Sequence, residues 1–68
     1  MIDFQDQIEF DHLYAEKINH SNLALFELTE GASYDIVRSI REGYQKFGSF
    51  TEKQRMVLAR FLAYTEML

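Results

Sequence analysis

The chain has 68 residues, no cysteine and a formal net charge of −4, and 47% of its residues are hydrophobic. This length allows one domain with a small core, and the lack of thiols excludes disulfides and cysteine-ligated zinc sites. No segment has the roughly 20 uncharged apolar residues of a membrane-spanning helix, and residues 1–6 are acidic rather than basic as at the start of a secretory signal. We therefore expect a soluble, intracellular protein with a single domain over residues 1–68.

The first half, residues 1–31, predicts helices less clearly than the second. A helix over residues 6–19 is indicated by three-to-four spacing of its apolar side chains, Phe10, Leu13, Tyr14 and Ile18. Apolar residues also alternate over positions 1–10, so a short strand is an alternative at the start of the chain. Segment 22–30 is compatible with a short helix capped by Ser21 and ended at Gly31, but its apolar run is too short to exclude a strand.

The second half, residues 33–68, predicts an amphipathic helical hairpin. Its first helix spans 33–47, with Ser33 as the predicted N-cap and Gly48 as the left-handed residue that ends it. Gly43 lies inside this helix, where glycine costs about 1 kcal/mol relative to alanine. We expect a close helix–helix approach at Gly43 to account for it.

The last helix opens with a capping box, in which Thr51 and Gln54 each bond the other's backbone N–H. Phe50 precedes this cap, and we expect it to pack on Met56 or Val57, because the usual partner position is occupied by Arg55. The apolar stripe of this helix is wide enough for two packing neighbours; it consists of Val57, Leu58, Phe61, Leu62, Tyr64 and Leu68. The predicted fold is all-α, a compact bundle of three to four short helices whose C-terminal pair resembles a helix-turn-helix.

Charge is divided unevenly between the two halves. Residues 1–31 hold seven acids and one base, giving −6, whereas residues 32–68 hold six bases and four acids, giving +2. The two sets can be solvated faces that pack against each other, or one of them can form an interaction surface. The predicted acidic binding face consists of Asp3, Asp6, Glu9, Asp11 and Glu16.

Nucleic-acid binding by the C-terminal half is the main alternative. Two helices joined by a short turn place basic residues at the start of the second helix, as in DNA-binding helix-turn-helix domains. The candidate phosphate-binding residues are Arg38, Arg41, Lys53, Arg55 and Arg60. A sequence pI of about 4.9 argues against this reading, because nucleic-acid-binding domains usually carry a basic excess.

Catalysis and metal binding have weak support in the sequence. The chain has no glycine-rich phosphate loop and no cysteine nucleophile, and so short a chain is poorly suited to building a pocket that excludes water. His12, Glu16 and His20 are spaced by four residues, but His12 and His20 lie about 12 Å apart along a helix, too far to share one ion. We expect no enzyme activity, no metal and no cofactor.

Residues 39–54, SIREGYQKFGSFTEKQ, carry a likeness to known proteins. Over residues 36–62 the chain resembles a short module of bacteriophage and mobile-element proteins, in which a helix ending in Gly-x-hydrophobe is followed by Ser/Thr-x-Lys-Gln. The likeness implies a viral or mobile-element origin and the cytoplasm of a bacterial host cell. In larger proteins, this module often accompanies DNA-handling domains.

The expected function is therefore non-catalytic binding. A small acidic viral protein suits an inhibitor or adaptor that docks on a host or defence complex that handles nucleic acid. The ten aromatic residues leave a third possibility, a structural subunit that assembles with copies of itself through exposed rings. The sequence does not identify the partner.

Overall fold

The computed structural model describes residues 4–68 and is helical throughout its regular structure. Four helices follow one another: α1 (Phe4–Ile18), α2 (Asn22–Leu28), α3 (Asp35–Phe47) and α4 (Glu52–Met67). The prediction of an all-α bundle is confirmed. Within the described residues, no helix combines the length and apolar character required to cross a membrane.

Helix α1 begins at Phe4, so the possible strand over residues 1–10 is wrong for residues 4–10; residues 1–3 lie outside the described part of the chain. The helical spacing of Phe10, Tyr14 and Lys17 explains the outcome, because it gives α1 one face that packs along α4. An alternating strand would have placed half of these side chains in water.

Helix α2 confirms the helical reading of segment 22–30. The Ser21 hydroxyl accepts a hydrogen bond from the backbone N–H of Ala24 at 3.1 Å, as predicted for an N-cap. The helix ends at Leu28, with Thr29 as its C-cap, and Gly31 then takes a left-handed conformation with φ of 81°. Glycine tolerates this conformation because it has no Cβ.

Helix α3 starts two residues later than predicted. Its N-cap is Tyr34, whose carbonyl accepts from the Arg38 N–H at 3.0 Å, and no side chain caps this end, so the prediction of Ser33 as N-cap is wrong. Asp35 instead supplies a negative charge in the first turn, where it favours the helix dipole.

The turn between α3 and α4 follows the prediction closely. Gly48 has φ of 76° and donates its backbone N–H to the Tyr44 carbonyl at 2.7 Å. The capping box of α4 is present in both directions, with the Thr51 hydroxyl accepting at 3.1 Å and the Gln54 side chain accepting at 2.9 Å.

The core forms where α4 meets the other helices, and its buried side chains are Leu25, Val37, Ile40, Phe50, Leu58 and Leu62. Phe50 stacks on Tyr44, with ring centroids 4.7 Å apart, and Tyr44 stacks in turn on Phe26 at 4.6 Å. This aromatic column of Phe26, Tyr44 and Phe50 was not predicted, because Phe50 was expected to pack on Met56 or Val57.

Gly43 does not mark a close helix–helix approach, and that prediction is wrong. A Cβ built at this position would meet no atom within 4 Å, apart from its own neighbours and helix backbone. The glycine lies on the side of α3 that also carries Ile36 and Phe47, both of which are exposed. The local structure therefore tolerates a larger residue here.

Lys17 is the one charged residue buried between helices in the described chain, with 9% of its surface exposed. Its ammonium lies 2.8 Å from a carboxylate oxygen of Glu66 on α4 and 3.4 Å from one of Glu16. The hydrogen bond to Glu66 raises the pKa of Lys17 above its ordinary value of 10.5, against the opposing effect of burial. The pair thus ties the end of α1 to the end of α4.

Replacing Glu66 by glutamine tests this tie. At pH 7 we expect E66Q to lower the free energy of unfolding by about 0.5–1 kcal/mol, because Glu66 is half exposed and its ion pair is partly screened. The folded-state pKa of Lys17 is raised, so the pair contributes fully below pH 10.5 and is lost as pH rises through that folded value. Urea titrations should therefore show the difference between wild type and E66Q shrinking as pH rises above 10.5 and Lys17 loses its proton. A constant difference would assign the effect to packing instead.

Candidate functional site

Arg55 belongs to the predicted nucleic-acid-binding set, but its guanidinium is engaged inside the chain. It donates to the backbone carbonyl of Ile18 at 2.8 Å, to the carbonyl of His20 and to the side-chain oxygen of Asn22. These acceptors lie at the end of α1 and the start of α2, where carbonyls lack partners within a helix. Arg55 thus holds the turn between α1 and α2 against α4.

Arg41, from the same predicted set, binds the end of α2 in a similar way. Its guanidinium donates to the backbone carbonyl of Phe26 and, at 2.8 Å, to the hydroxyl of Thr29. It also lies 4.0 Å from the centre of the Phe26 ring, which allows a cation–π interaction. Thr29 is 1% exposed and also bonds the Leu25 carbonyl at 2.8 Å.

Three members of the basic set remain exposed: Arg38, Lys53 and Arg60. Within residues 4–68, none of them has an ion-pair partner. Arg38 lines a shallow polar depression of about 440 Å³ together with Arg41, Glu42 and Gln45. Lys53 and Arg60 lie on α4, seven residues apart and therefore on nearly the same side of that helix.

The predicted acidic face maps onto α1. Glu9, Asp11 and Glu16 are exposed, whereas Asp6 is half-buried and interacts with another group, and Asp3 lies outside the described residues. Glu9 and Glu16 are seven residues apart and share one side of the helix; Asp11 lies on the other side of the exposed surface. Glu16 also contacts the Lys17 ammonium, so Glu9 and Asp11 are the acids without partners in the described structure.

An apolar groove beside α4 was not predicted from the sequence. It runs between the start of α3 and the outer side of α4, encloses about 510 Å³ and is lined by Tyr34, Ile36, Val57, Arg60, Phe61, Tyr64, Thr65 and Leu68. Tyr34 and Phe61 stack with ring centroids 6.2 Å apart and planes 5° from parallel. The wide apolar stripe of α4 was the feature of the sequence that indicated this groove, because it predicted two packing neighbours for α4.

The described residues contain no cluster of potential metal ligands. No group of three or more histidine, aspartate and glutamate side chains in residues 4–68 is arranged to hold a metal ion. His20 follows the end of α1 and its Nδ1 lies 2.9 Å from the Glu16 backbone carbonyl, so the ring contacts the helix end. The side chains of the candidate sites therefore offer charge and apolar surface.

Comparisons with protein-family models, with curated proteins and with solved structures find no match to this chain. The candidate surfaces are therefore weighed by their geometry alone. They are the exposed acids of α1, the three exposed bases and the apolar groove beside α4.

Substituting Arg55 tests its structural role. We expect Arg55→Ala to lower the free energy of unfolding by about 2–3 kcal/mol, because charge-assisted hydrogen bonds to two carbonyls and one amide are lost together. Arg55→Lys should recover only part of this, since an ammonium cannot reproduce the planar fork. Arg38→Ala removes the same charge from an exposed site and should change stability by less than about 0.5 kcal/mol. Equal losses in chemical denaturation for Arg55→Ala and Arg38→Ala would contradict the assignment.

Proposed function

We propose that the chain is a small non-catalytic binding protein that docks on a partner protein through the exposed acids of α1, with Glu9 and Glu16 on one flank of the helix and Asp11 on the other. One observation carries this proposal: Glu9 and Asp11 are exposed and without partners in the described structure, whereas Arg41 and Arg55 are engaged with backbone carbonyls. The acidic half therefore presents its charge outward. The basic half uses two of its six positive charges inside the molecule.

An outward acidic helix favours a partner with a basic surface. Complementary charge speeds encounter and rejects wrongly charged surfaces more than it adds raw affinity. Proteins that handle nucleic acid expose such basic surfaces to bind phosphates. The likeness of residues 36–62 to a phage and mobile-element module supports an inhibitor or adaptor that competes for such a surface in a bacterial host.

Charge reversal on α1 tests the proposal. We expect the triple variant E9K/D11K/E16K to lose a bacterial partner that the wild-type chain retains on a column, because its outward charge changes sign. The matched control reverses three exposed acids elsewhere, E27K/E30K/E52K, and alters net charge equally. Nuclease-treated and untreated lysates, compared by mass spectrometry, show whether the retained species is protein alone. Equal loss in both variants would indicate an effect of net charge, and equal retention would refute the acidic surface.

Direct nucleic-acid binding remains the alternative and makes a separate prediction. The exposed bases Arg38, Lys46, Lys53 and Arg60, on a chain of net charge −4, should give no retarded complex with duplex DNA at about 150 mM salt, because few phosphates can be neutralised. A mobility-shift titration measures this. Retardation that weakens in R38A, K53A or R60A would replace the acidic-surface proposal with this alternative.

A further inference from the structure

Helix α4 has apolar side chains on two sides, and the chain fully covers only one of them in its described part. The inner side carries Leu58, Ala59, Leu62 and Ala63, all buried. The outer side carries Val57, Phe61, Tyr64 and Leu68, which follow one another at four, three and four residues and line the groove. The start of α3, with Tyr34 and Ile36, flanks this outer side along one edge. At Tyr64 the Phe10 ring of α1 flanks it as well, with ring centroids 4.7 Å apart.

Much of the groove wall is left in water. Tyr34 is 55% exposed, Ile36 53% and Tyr64 50%, and Leu68 has no cover at all. Exposed apolar side chains are common singly, but a contiguous set that forms a concave surface marks an interaction site. From Val57 to Leu68 the wall extends about 16 Å, which is three turns of an α-helix. This length matches a helix that inserts side chains at i, i+4 and i+7.

The charges at the rim specify the occupant further. Arg60 is the charged side chain among the groove residues, and it is exposed without an acidic partner in residues 4–68. Lys53 lies two turns earlier on the same side of α4. Neither acid of α4 pairs with them in residues 4–68, because Glu66 pairs with Lys17 on the inner side and Glu52 forms no ion pair.

We propose that this groove binds an amphipathic helix of a partner protein whose apolar face is bordered, along one edge, by acidic residues. The apolar face covers Ile36, Phe61 and Tyr64, and the acidic edge lies along Arg60 and Lys53. The groove meets α1 at Tyr64, which packs on Phe10, so the two surfaces are tested separately with substitutions away from this contact.

A second copy of the chain fits the groove less well. Symmetric pairing of two identical surfaces brings residues near the axis against their own counterparts. Arg60 lies within the α4 wall, between Val57 and Tyr64, so two copies paired about an axis near this position would oppose like charges. An acidic helix provides the opposite sign at this point.

The probes are two synthetic helical peptides with the same leucine face, one with glutamate along one edge and the other with glutamine in its place. Titrated into the ¹⁵N-labelled chain and followed by NMR, the acidic peptide should shift the amides of Ile36, Phe61 and Tyr64. It should bind about 2- to 10-fold more tightly than the neutral peptide, as expected of two rim ion pairs. In R60E the preference should reverse.

Two further substitutions separate the groove from general stickiness. Ile36→Glu places an acid in the first turn of α3 and Phe47→Lys places a base in the last turn, so the helix dipole favours both changes and both variants should fold. Ile36→Glu should weaken peptide binding at least tenfold, whereas Phe47→Lys, at an 81% exposed site outside the groove, should leave it unchanged.

Several outcomes would overturn the proposal. Failure of both peptides to shift groove amides at millimolar concentration would remove the site, and equal affinity for both peptides would remove its charge preference. Loss of binding in Phe47→Lys as well as Ile36→Glu would show non-specific adhesion. Groove amides that shift with protein concentration alone, together with a dimer in sedimentation, would assign the groove to a second copy. The variant E9K, at an acid of α1 that does not line the depression beside Tyr64, should bind the peptides as wild type does.

Discussion

The contacts made by Arg55 decide how the two halves of this chain fit together. The last carbonyls of α1 and the side chain at the start of α2 both require donors, and a single planar guanidinium on α4 provides them. Because these acceptors are 33 to 37 residues away in sequence, the interaction closes the fold as well as capping a helix. Arg41 does the same for the end of α2. Helix ends that a small protein usually exposes to water are thus used as packing surfaces.

This arrangement changes the meaning of the charge asymmetry. An acidic half of −6 beside a basic half of +2 suggests carboxylates paired with guanidiniums, yet Arg41 and Arg55 bind carbonyl and hydroxyl oxygens. Positive charge at helix C-termini is favoured by the helix dipole, so these arginines interact favourably with α1 and α2 without neutralising their acids. Lys17 and Glu66 form an ion pair between the two halves in the described residues. Here the base belongs to the acidic half and the acid belongs to the basic half. Of the acids of α1, Glu9 and Asp11 are consequently left for solvent or a partner.

Features fixed by neighbouring residues could be read from the sequence, and those fixed by distant ones could not. The capping box of Thr51 and Gln54, the Ser21 cap and the left-handed Gly48 each depend on residues within one turn, and the structure contains all three. Ser33 failed as a cap because the N-cap lies one residue later, at Tyr34. The targets of Arg41 and Arg55 depend on tertiary packing, and no local pattern identifies an arginine as a donor to a remote carbonyl. On the candidate site, the exposure of Glu9, Asp11 and Glu16 was predictable from helical spacing, but the groove required knowing where α3 begins.

The incomplete cover of α4 follows from the small size of the chain. A chain of 68 residues has few elements with which to cover its longest helix, and α1 occupies most of the inner side of α4. The hairpin partner α3 reaches the outer side only near its start, because Val37, Ile40 and Tyr44 pack toward the core and the aromatic column. Val57 and Phe61 on the outer side also pack against the buried core, whereas Tyr64 and Leu68 are exposed. These exposed side chains keep an apolar surface in water, at a cost of about 25 cal/mol for each Å² exposed. An occupant that covers these apolar side chains and pairs with Arg60 would remove this free-energy cost, as proposed for the groove.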